Sequence, residues 1–328
     1  MKVLYIGGTG EISYACLQAG VAMGHETTVF NRGRNDEPLP PGVRRITGSV
    51  VDDADYARLG AERWDVVCQF LAFSPQAIER DLSVFSGKIG QYVFISSASA
   101  YEKPPRNHII TESTPLVNPY WAYSRAKAAM EGMLMQWHAA GRLPVTIVRP
   151  SHTYRRRFPN ALGDGDHLAW RMRNGKPVIV HGDGTGLWVV THSDDFALPF
   201  VRLLGNANAL GEAFHITSDD CWTWDDITRA MAAALGVEPR IVHVPSDTLI
   251  RYNVDWTGPL LGDKSWSVAF DNRKVKSVAG NFTCRIDMPQ GMRLVAEHYG
   301  KRAESYHPDE QRDALMDRIA SEQSRLGA

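Results

Sequence analysis

The glycine-rich turn at the start of the chain constrains the fold more than any other feature. The apolar run Lys2–Ile6 leads into Gly7, Gly8 and Gly10, and Ser13 stands where a third small residue would pack a helix against the strand. Residues without a Cβ let a strand turn tightly and let the backbone approach a phosphate. The alternative is a plain structural turn. We predict a dinucleotide-binding turn made by Gly7, Gly8, Thr9, Gly10, Glu11 and Ile12.

Short apolar runs alternate with helical spacing through the first part of the chain. Runs rich in Val and Ile, without polar alternation, suit strands that are covered on both faces. Alternating strands and helices predict an α/β fold with a doubly wound parallel sheet of the Rossmann type. The predicted strands are 2–6, 27–30, 43–46, 64–71, 92–96 and 145–148, and the predicted helices are 12–23 and 120–138.

The pattern becomes less regular after Pro150. We predict that residues 1–150 form the dinucleotide-binding domain and that 151–328 form a smaller α/β substrate-binding region packed on it, ending in a helix. The substrate cleft is expected between them, at the carboxyl ends of the strands. In this second region we predict strands at 176–180, 187–192, 213–217 and 241–245, and helices at 194–204, 224–235 and 309–326.

Composition narrows the possible partners. Hydrophobic residues make up 44% of the 328 residues, which argues against disorder, and a net charge of −1 favours neither nucleic acid nor an anionic membrane. The four cysteines are far apart, so a disulfide scaffold or a metal site is not expected. No apolar stretch reaches the roughly 20 residues that span a bilayer. With a first strand at Lys2 there is no room for a signal peptide, and we expect a cytoplasmic protein that binds a small-molecule substrate.

The end of the second predicted strand bears on the choice of cofactor. An acidic residue there would accept hydrogen bonds from ribose hydroxyls and favour NAD. This chain has Asn31, Arg32 and Arg34 instead, and a guanidinium pairs well with a 2′-phosphate. Asp36 lies too far along the loop to replace the missing acid. We therefore predict NADP over NAD, the alternative being that both arginines are solvated surface charges.

A tyrosine and a lysine four residues apart, Tyr123 and Lys127, are the candidate catalytic pair. On a helix both project from one face, and the lysine charge would favour the phenolate. The tyrosine could then exchange a proton with a hydroxyl or carbonyl oxygen. Ser97 is the candidate that holds this oxygen, with Ser96 and Ser99 as alternatives.

The segments GGTGEIS, FISSASAY, YSRAK, VRPSHTY, GDGTG and THSDD together resemble extended short-chain dehydrogenases/reductases of the NAD-dependent epimerase/dehydratase group. The resemblance extends to about Tyr299. It implies hydride transfer with Ser97, Tyr123 and Lys127 as the catalytic set, and a homodimer joined through the helix that carries Tyr123. The remaining predicted cofactor contacts are Leu71, Ala72 and Pro150.

The chain departs from this family at two positions. Gly48 is followed by Ser49, where the family often has an aspartate that touches the adenine. Trp188 stands where similar nucleotide-sugar epimerases have an arginine that grips the substrate pyrophosphate. A tryptophan can stack on a ring or fill the core, but it cannot neutralise a diphosphate. The substrate therefore need not be an ordinary nucleotide sugar.

Four residues are the candidate substrate contacts. The run that begins at Arg155 either grips an anionic substrate or forms a solvated loop. His152 and His192 either flank the cleft or are hydrogen-bonded structural histidines. Asp194 and its neighbour are interpreted as a helix start. The predicted substrate contacts are Ser99, His152, Arg155 and Trp188.

Three functions fit these residues. The first is an NAD(P)-dependent enzyme of the epimerase/dehydratase type that transfers hydride at a carbinol or carbonyl carbon of a sugar-like substrate. The second is an NADPH-dependent carbonyl reductase of a non-nucleotide substrate. The third, RNA or ligand binding on the same scaffold, is disfavoured by the neutral charge and by the presence of Ser97, Tyr123 and Lys127.

Overall fold

The computed structural model describes residues 1–34 and 37–326. Its strands, in chain order, are β1 (Lys2–Ile6), β2 (Glu26–Asn31), β3 (Arg44–Thr47), β4 (Trp64–Gln69), β5 (Ile89–Ile95), β6 (Ile109–Ile110), β7 (Val145–Pro150), β8 (His152–Tyr154), β9 (Pro177–His181), β10 (Leu187–Trp188), β11 (Val190–His192), β12 (Glu212–Ile216), β13 (Trp222–Thr223), β14 (Arg240–Val244) and β15 (Ala269–Phe270).

Helices connect and cover these strands. They are α1 (Glu11–Ala22), α2 (Asp53–Ala57), α3 (Pro75–Phe85), α4 (Ala122–Ala139), α5 (Gly165–Arg173), α6 (Ser193–Leu203), α7 (Trp224–Ala234), α8 (Ser246–Tyr252), α9 (Thr257–Pro259), α10 (Arg273–Ala279), α11 (Met288–Gly300) and α12 (Glu310–Leu326). A single π-type turn, Leu260–Lys264, continues directly from α9.

In the described part of the chain, seven parallel strands form one sheet in the order β12-β7-β5-β4-β1-β2-β3. The strand order reverses direction at β1, which is the arrangement of a doubly wound sheet. Val3, Leu4, Tyr5 and Ile6 are all fully buried, because helices cover both faces of the central strand. This confirms the predicted fold class.

The second region contains short strand pairs rather than a second large sheet. Strand β9 pairs in parallel with β14, β8 pairs in parallel with β11, and β10 pairs antiparallel with β13. They pack with α5, α7, α11 and α12 around a separate hydrophobic core. The edge strand β12 of the main sheet also comes from beyond Pro150, so the division of the chain at this residue stays a prediction.

Several element boundaries differ from the predicted ones for local reasons. Helix α4 begins at Ala122, because Trp121 is extended and the Tyr120 N–H is donated to the Asn118 side chain. Strand β4 ends at Gln69, whose side chain accepts the N–H of Leu71 at 2.8 Å as the chain leaves the sheet. The predicted strand 187–192 is two strands, β10 and β11, which pair with different partners.

In the part of the chain that the structure describes, no helix is both long enough and apolar enough to cross a membrane. The feature of the fold that positions the site is the common direction of the strands. Since the carboxyl ends of β1, β2, β4, β5 and β7 lie at one edge of the sheet, the segments that follow them converge there.

Candidate active site

The turn after β1 has the geometry of a phosphate cradle. Gly7 and Gly8 have φ values of 114° and 82°, which L side chains rarely adopt. A Cβ on Gly8 would lie 2.6 Å from Cγ1 of Val29, so the packing also requires glycine there. Gly10 precedes the first turn of α1, and its N–H is donated to Ser13 Oγ at 2.9 Å. The serine at the third position therefore organises the helix N-terminus.

A cavity of about 1550 Å³ opens in front of this turn. Most of the predicted cofactor contacts line this cavity, but Gly8 and Ala72 do not. Gly8 packs against Val29, and Ala72 is buried, with its carbonyl accepting a hydrogen bond from Lys127. The predicted residues along its wall are Gly7, Thr9, Gly10, Glu11, Ile12, Asn31, Arg32, Arg34, Leu71, Tyr123, Lys127 and Pro150. Ser49, Val50, Phe73 and Arg80 also line it, and the sequence analysis did not select them for this cavity.

The residues after β2 have separate roles. The Asn31 amide donates to the carbonyl of Gly7 at 3.1 Å and accepts the N–H of Gly33 at 3.0 Å, so it braces the turn. Arg32 and Arg34 are exposed and line the cavity. Asp36 lies outside the described residues. The two arginines are therefore positioned where an anionic group of a bound dinucleotide could be reached.

The catalytic pair meets at the inner end of this cavity. Tyr123 lies in the first turn of α4, and Lys127 Nζ is 5.8 Å from the centre of its ring. The ammonium donates to the carbonyls of Ala72 and Ile95, both at 2.8 Å, which fixes the side chain between the ends of two strands. Burial lowers the pKa of Lys127 to about 7, while nearby Glu131 acts in the opposite direction.

The environment of Tyr123 differs from the expectation. Burial raises the pKa of Tyr123, a hydrogen bond with Ser97 lowers it, and the charge of Asp263 raises it. The sequence argument assigned the lowering of this pKa to Lys127. Ser97 therefore acts on this pKa in the direction that was expected of Lys127.

Serine hydroxyls surround the tyrosine. Ser97 Oγ lies 2.9 Å from Ser99 Oγ and also accepts the N–H of Ser99 at 3.2 Å. Ser124, the residue after Tyr123, donates its hydroxyl to Ser99 Oγ at 2.7 Å. Ser96 lies on the other side, where its buried hydroxyl lines the large cavity and has no hydrogen-bond partner among the described residues. An unsatisfied buried hydroxyl in this wall suits a polar group of a bound cofactor.

A smaller cavity of about 280 Å³ adjoins the large one at Tyr123. Two of the predicted substrate contacts, Ser99 and His152, line it together with Ser97 and Tyr123. Burial, followed by the charge of Lys264, lowers the pKa of His152 to about 3, so this imidazole is neutral. Its Nδ1 has no hydrogen-bond partner in the described chain. Residues that the sequence analysis missed in this cavity are Trp121, Asp263 and Lys264.

Trp188 is not a substrate contact. Its side chain is 2% exposed and stacks on Trp224, with 5.8 Å between ring centres and 26° between planes. Two roles were predicted for Trp188, stacking on a substrate ring or filling the core, and the structure places it in the core. Trp224 begins helix α7, and Thr223 caps that helix.

Within the arginine run, Arg155 and Arg156 are paired with acidic side chains, whereas Arg157 is exposed. Arg155 is 7% exposed and forms two hydrogen bonds of 2.9 Å to the carboxylate of Glu37. Arg156 is bonded to Glu11 at 3.1 Å and also to Glu37. Arg157 is exposed and lines a further cavity of about 400 Å³, which shares His152 with the small one. The predicted substrate role of Arg155 is therefore corrected, since acidic side chains already neutralise its guanidinium.

Other predicted features have structural roles. Asp195 accepts the N–H groups of Arg285 and Ile286 at 2.9 and 3.0 Å, and His192 caps α6. In residues 1–34 and 37–326, no group of three or more His, Cys, Asp or Glu side chains could hold a metal ion. The glycine cradle, the free serine hydroxyl and the size of the large cavity do fit a nicotinamide dinucleotide.

The family model of the NAD dependent epimerase/dehydratase family matches residues 3–217. A 2′-dehydrokanamycin reductase from Streptomyces kanamyceticus is 28% identical over 276 residues, which are 83% of this chain and 77% of the relative. The chloroplast stem-loop binding protein of 41 kDa b from Arabidopsis thaliana is 26% identical over 261 residues, 74% of this chain and 65% of the relative.

The solved structures support the same fold. The UDP-glucose 4-epimerase of Thermus thermophilus, in complex with NAD, superimposes with a TM-score of 0.73 at 20% identity, covering 92% of this chain and 99% of the other. The family model covers more than half of the chain. The chain therefore belongs to the NAD dependent epimerase/dehydratase family and is an enzyme of the extended short-chain dehydrogenase/reductase type that works with a nicotinamide cofactor.

Proposed function

We propose that the enzyme is an NADP-dependent reductase that converts a ketone of a sugar-like substrate into a secondary alcohol, and that the substrate carries no nucleoside diphosphate. The observation that carries the proposal is the absence of a free guanidinium at the family's pyrophosphate position in the described chain. Trp188 is buried there, and Arg155 and Arg156 are neutralised by Glu37 and Glu11. A relative named for the reduction of 2′-dehydrokanamycin agrees with it.

In the proposed reduction, the cofactor and three side chains each have a separate role. A reduced nicotinamide dinucleotide held at the glycine turn, in the large cavity, would supply hydride for the carbonyl carbon. Tyr123 donates its phenolic proton to the carbonyl oxygen, and Ser97 donates a hydrogen bond to the same oxygen, so that a secondary alcohol leaves and a phenolate remains. Lys127 is held beside the tyrosine by two carbonyl oxygens, and solvent returns the proton to Tyr123 after release.

The first test distinguishes net reduction of a ketone from a redox-neutral reaction. Purified protein is mixed with NADPH or NADH and with methyl glycosides in which one ring hydroxyl has been oxidised to a ketone, and cofactor absorbance is followed. We expect consumption of NADPH, with no requirement for a nucleotide on the sugar. The opposing result is tightly retained NAD after purification together with epimerisation or dehydration of UDP-glucose or dTDP-glucose, which would support the redox-neutral enzyme instead.

The second test is the proton donor. Tyr123→Phe should lower turnover about 100-fold or more, because the carbonyl oxygen loses its general acid, while the Kd for cofactor should change little. Tyr120→Phe is the matched control, since Tyr120 lies three residues earlier and precedes the helix. Equal turnover of the Tyr123 variant and the wild type would exclude this assignment.

RNA binding is the second candidate, because a stem-loop binding protein is among the relatives. It predicts salt-sensitive binding of an RNA hairpin that Tyr123→Phe does not affect. We favour the reductase, since Ser97, Tyr123 and Lys127 lie together at the junction of the two cavities. Hairpin binding with no cofactor turnover would reverse this preference.

We also propose a homodimer in which α4 packs against its copy. Ala122, Ala129 and Gly132 are small residues on the exposed side of α4, and small side chains let two helices approach closely. Sedimentation of the wild type should give twice the mass of one chain, and Ala129→Arg should give a monomer. A monomeric wild type would refute this part of the proposal.

A further inference from the structure

The hydroxyl groups beside Tyr123 form a continuous chain. Ser124 Oγ donates to Ser99 Oγ at 2.7 Å, Ser99 Oγ lies 2.9 Å from Ser97 Oγ, and Ser97 and Tyr123 line the same small cavity, where the Ser97 hydroxyl lowers the pKa of Tyr123. Ser124 and Ser99 are buried, with exposures of 0% and 3%. Both ends of the chain belong to the first turn of α4, because Tyr123 and Ser124 are consecutive.

Hydrogen-bond direction is fixed at one end of this chain, where Ser124 is the donor, whereas either of Ser97 and Ser99 can donate to the other. The Ser124 proton occupies a lone pair of Ser99, so the proton of Ser99 is available for Ser97 Oγ. Ser97 Oγ also accepts the backbone N–H of Ser99. In the arrangement in which Ser99 donates to Ser97, the proton of Ser97 is directed towards Tyr123 or towards a substrate oxygen in the small cavity.

The backbone around Ser99 is held from the opposite side. Its carbonyl accepts one N–H of the Asn118 amide at 2.7 Å, and the same amide group donates to the carbonyl of Gly262 at 2.6 Å. Asn118 is itself buried. The chain of hydroxyls is therefore anchored between the start of α4 and the π-type turn Leu260–Lys264, and it is not free to reorient with solvent.

We propose that Ser124 and Ser99 are positioning residues that set the hydroxyl of Ser97 as a hydrogen-bond donor, so that negative charge on Tyr123 and on the reacting oxygen is stabilised. Chains of hydrogen bonds polarise one another, and a donor fixed in advance needs no reorganisation during the reaction. The inference rests on the proposed function, because it assumes the roles of Tyr123 and Ser97.

The charged groups that face Tyr123 must be considered with this chain. Lys127 approaches from the same helix, and Asp263 and Lys264 approach from the π-type turn across the small cavity. Loss of the Ser124 hydroxyl leaves all three charges in place. A change in the titration of Tyr123 in that variant would therefore report on the hydroxyl chain.

The first experiment is a substrate-free titration. The phenolate absorbance of the NADP-bound protein is measured against pH, and the curve of the corresponding Tyr123→Phe protein is subtracted. Ser124→Ala should raise the apparent pKa of Tyr123 by about half a unit. Ser277→Ala is the control, because Ser277 is exposed on α10 and donates only to a helix carbonyl. An unchanged titration in Ser124→Ala would overturn the proposal.

The second experiment is a double-mutant cycle with the oxidised methyl glycosides. Ser124→Ala should lower kcat about three- to tenfold with KM and cofactor Kd unchanged, and it should have no further effect in a Ser97→Ala background. Ser99→Thr keeps a hydroxyl and should retain most of the activity that Ser99→Ala loses. Additive effects of Ser97→Ala and Ser124→Ala on kcat would show that Ser124 does not act through Ser97, and would overturn the inference. A fully active Ser97→Ala protein would instead reject the proposed function itself.

Discussion

At the scale of single residues, the side chains after β2 bear on the proposed preference for NADP over NAD. Asn31 is committed to the glycine turn through two hydrogen bonds, so it has little freedom to select between cofactors. Arg32 and Arg34 are exposed and line the same cavity. A guanidinium pairs with a phosphate through parallel hydrogen bonds, and a ribose hydroxyl offers no such charge.

The arginines give a prediction that separates the cofactors. Arg32→Ala combined with Arg34→Ala should weaken NADPH binding about 10- to 100-fold, since charged hydrogen bonds to the 2′-phosphate are lost. NADH binding should change little. Titration calorimetry with both cofactors measures this, and Arg63→Ala, an exposed arginine before β4, is the control. An equal loss for both cofactors would show that the arginines do not recognise the 2′-phosphate.

The location of the candidate catalytic residues was easier to predict from the sequence than the surroundings of the candidate substrate contacts. Ser97, Tyr123 and Lys127 meet because strand ends and helix starts converge in any doubly wound sheet. Arg155 and Trp188 were less predictable. Their partners, Glu37 and Trp224, are distant in sequence, and a local pattern contains no information about such pairs.

At the scale of elements, one buried ion pair joins helix α4 to the sheet. Glu131 on α4 accepts from Arg149 at the end of β7, with nitrogen–oxygen distances of 2.5 to 3.1 Å. Arg149 also donates to the hydroxyl of Tyr101 at 3.0 Å. The pair lies one helical turn beyond Lys127, so it fixes the orientation of the helix face that carries Tyr123 and Lys127.

Glu131→Gln should therefore destabilise the protein by about 3 kcal/mol, because the buried guanidinium of Arg149 loses its counter-charge. The free energy of unfolding in urea measures the effect. Glu297→Gln, at an exposed position of α11, should stay within about 0.5 kcal/mol of the wild type. A small change in the free energy of unfolding on Glu131→Gln would mean that water solvates the guanidinium of Arg149 in place of the carboxylate.

The elements themselves were unequally predictable. The strands of the sheet follow from uninterrupted apolar runs, and the spacing of Ile78, Leu82 and Phe85 already contains the amphipathic signal of α3, which the sequence analysis did not use. The turn Leu260–Lys264 has no comparable pattern. It is placed by long-range packing, since Cβ atoms on Gly258 and Gly262 would lie 2.3 and 2.8 Å from Trp121 atoms.

On the scale of the whole molecule, buried neutral histidines couple stability to pH. Burial lowers the pKa of His152 to about 3 and that of His181 to about 4. In the unfolded chain both would titrate near 6.5. Between about pH 6.5 and 4 the unfolded state therefore binds more protons than the folded state, and stability decreases as the pH falls through this window.

The urea midpoint should accordingly drop between pH 7.5 and 4.5. Each of these histidines contributes at most about 1.4 kcal/mol per pH unit within that window. His181→Gln, whose amide can still donate to the carbonyl of Lys264, should reduce the drop, whereas the exposed His307→Gln should not. An equal drop in His181→Gln and the wild type would show that other groups control the acid sensitivity.

The stacked pair Trp188 and Trp224 has a consequence for how substrate preference could evolve. A guanidinium placed at position 188 alone would enter a core that is apolar on the side of Trp224, and the protein would lose stability before it gained a phosphate contact. A lineage with this packing would need compensating changes at both positions. The aromatic pair thus couples the residue that can stand at position 188 to the residue at position 224.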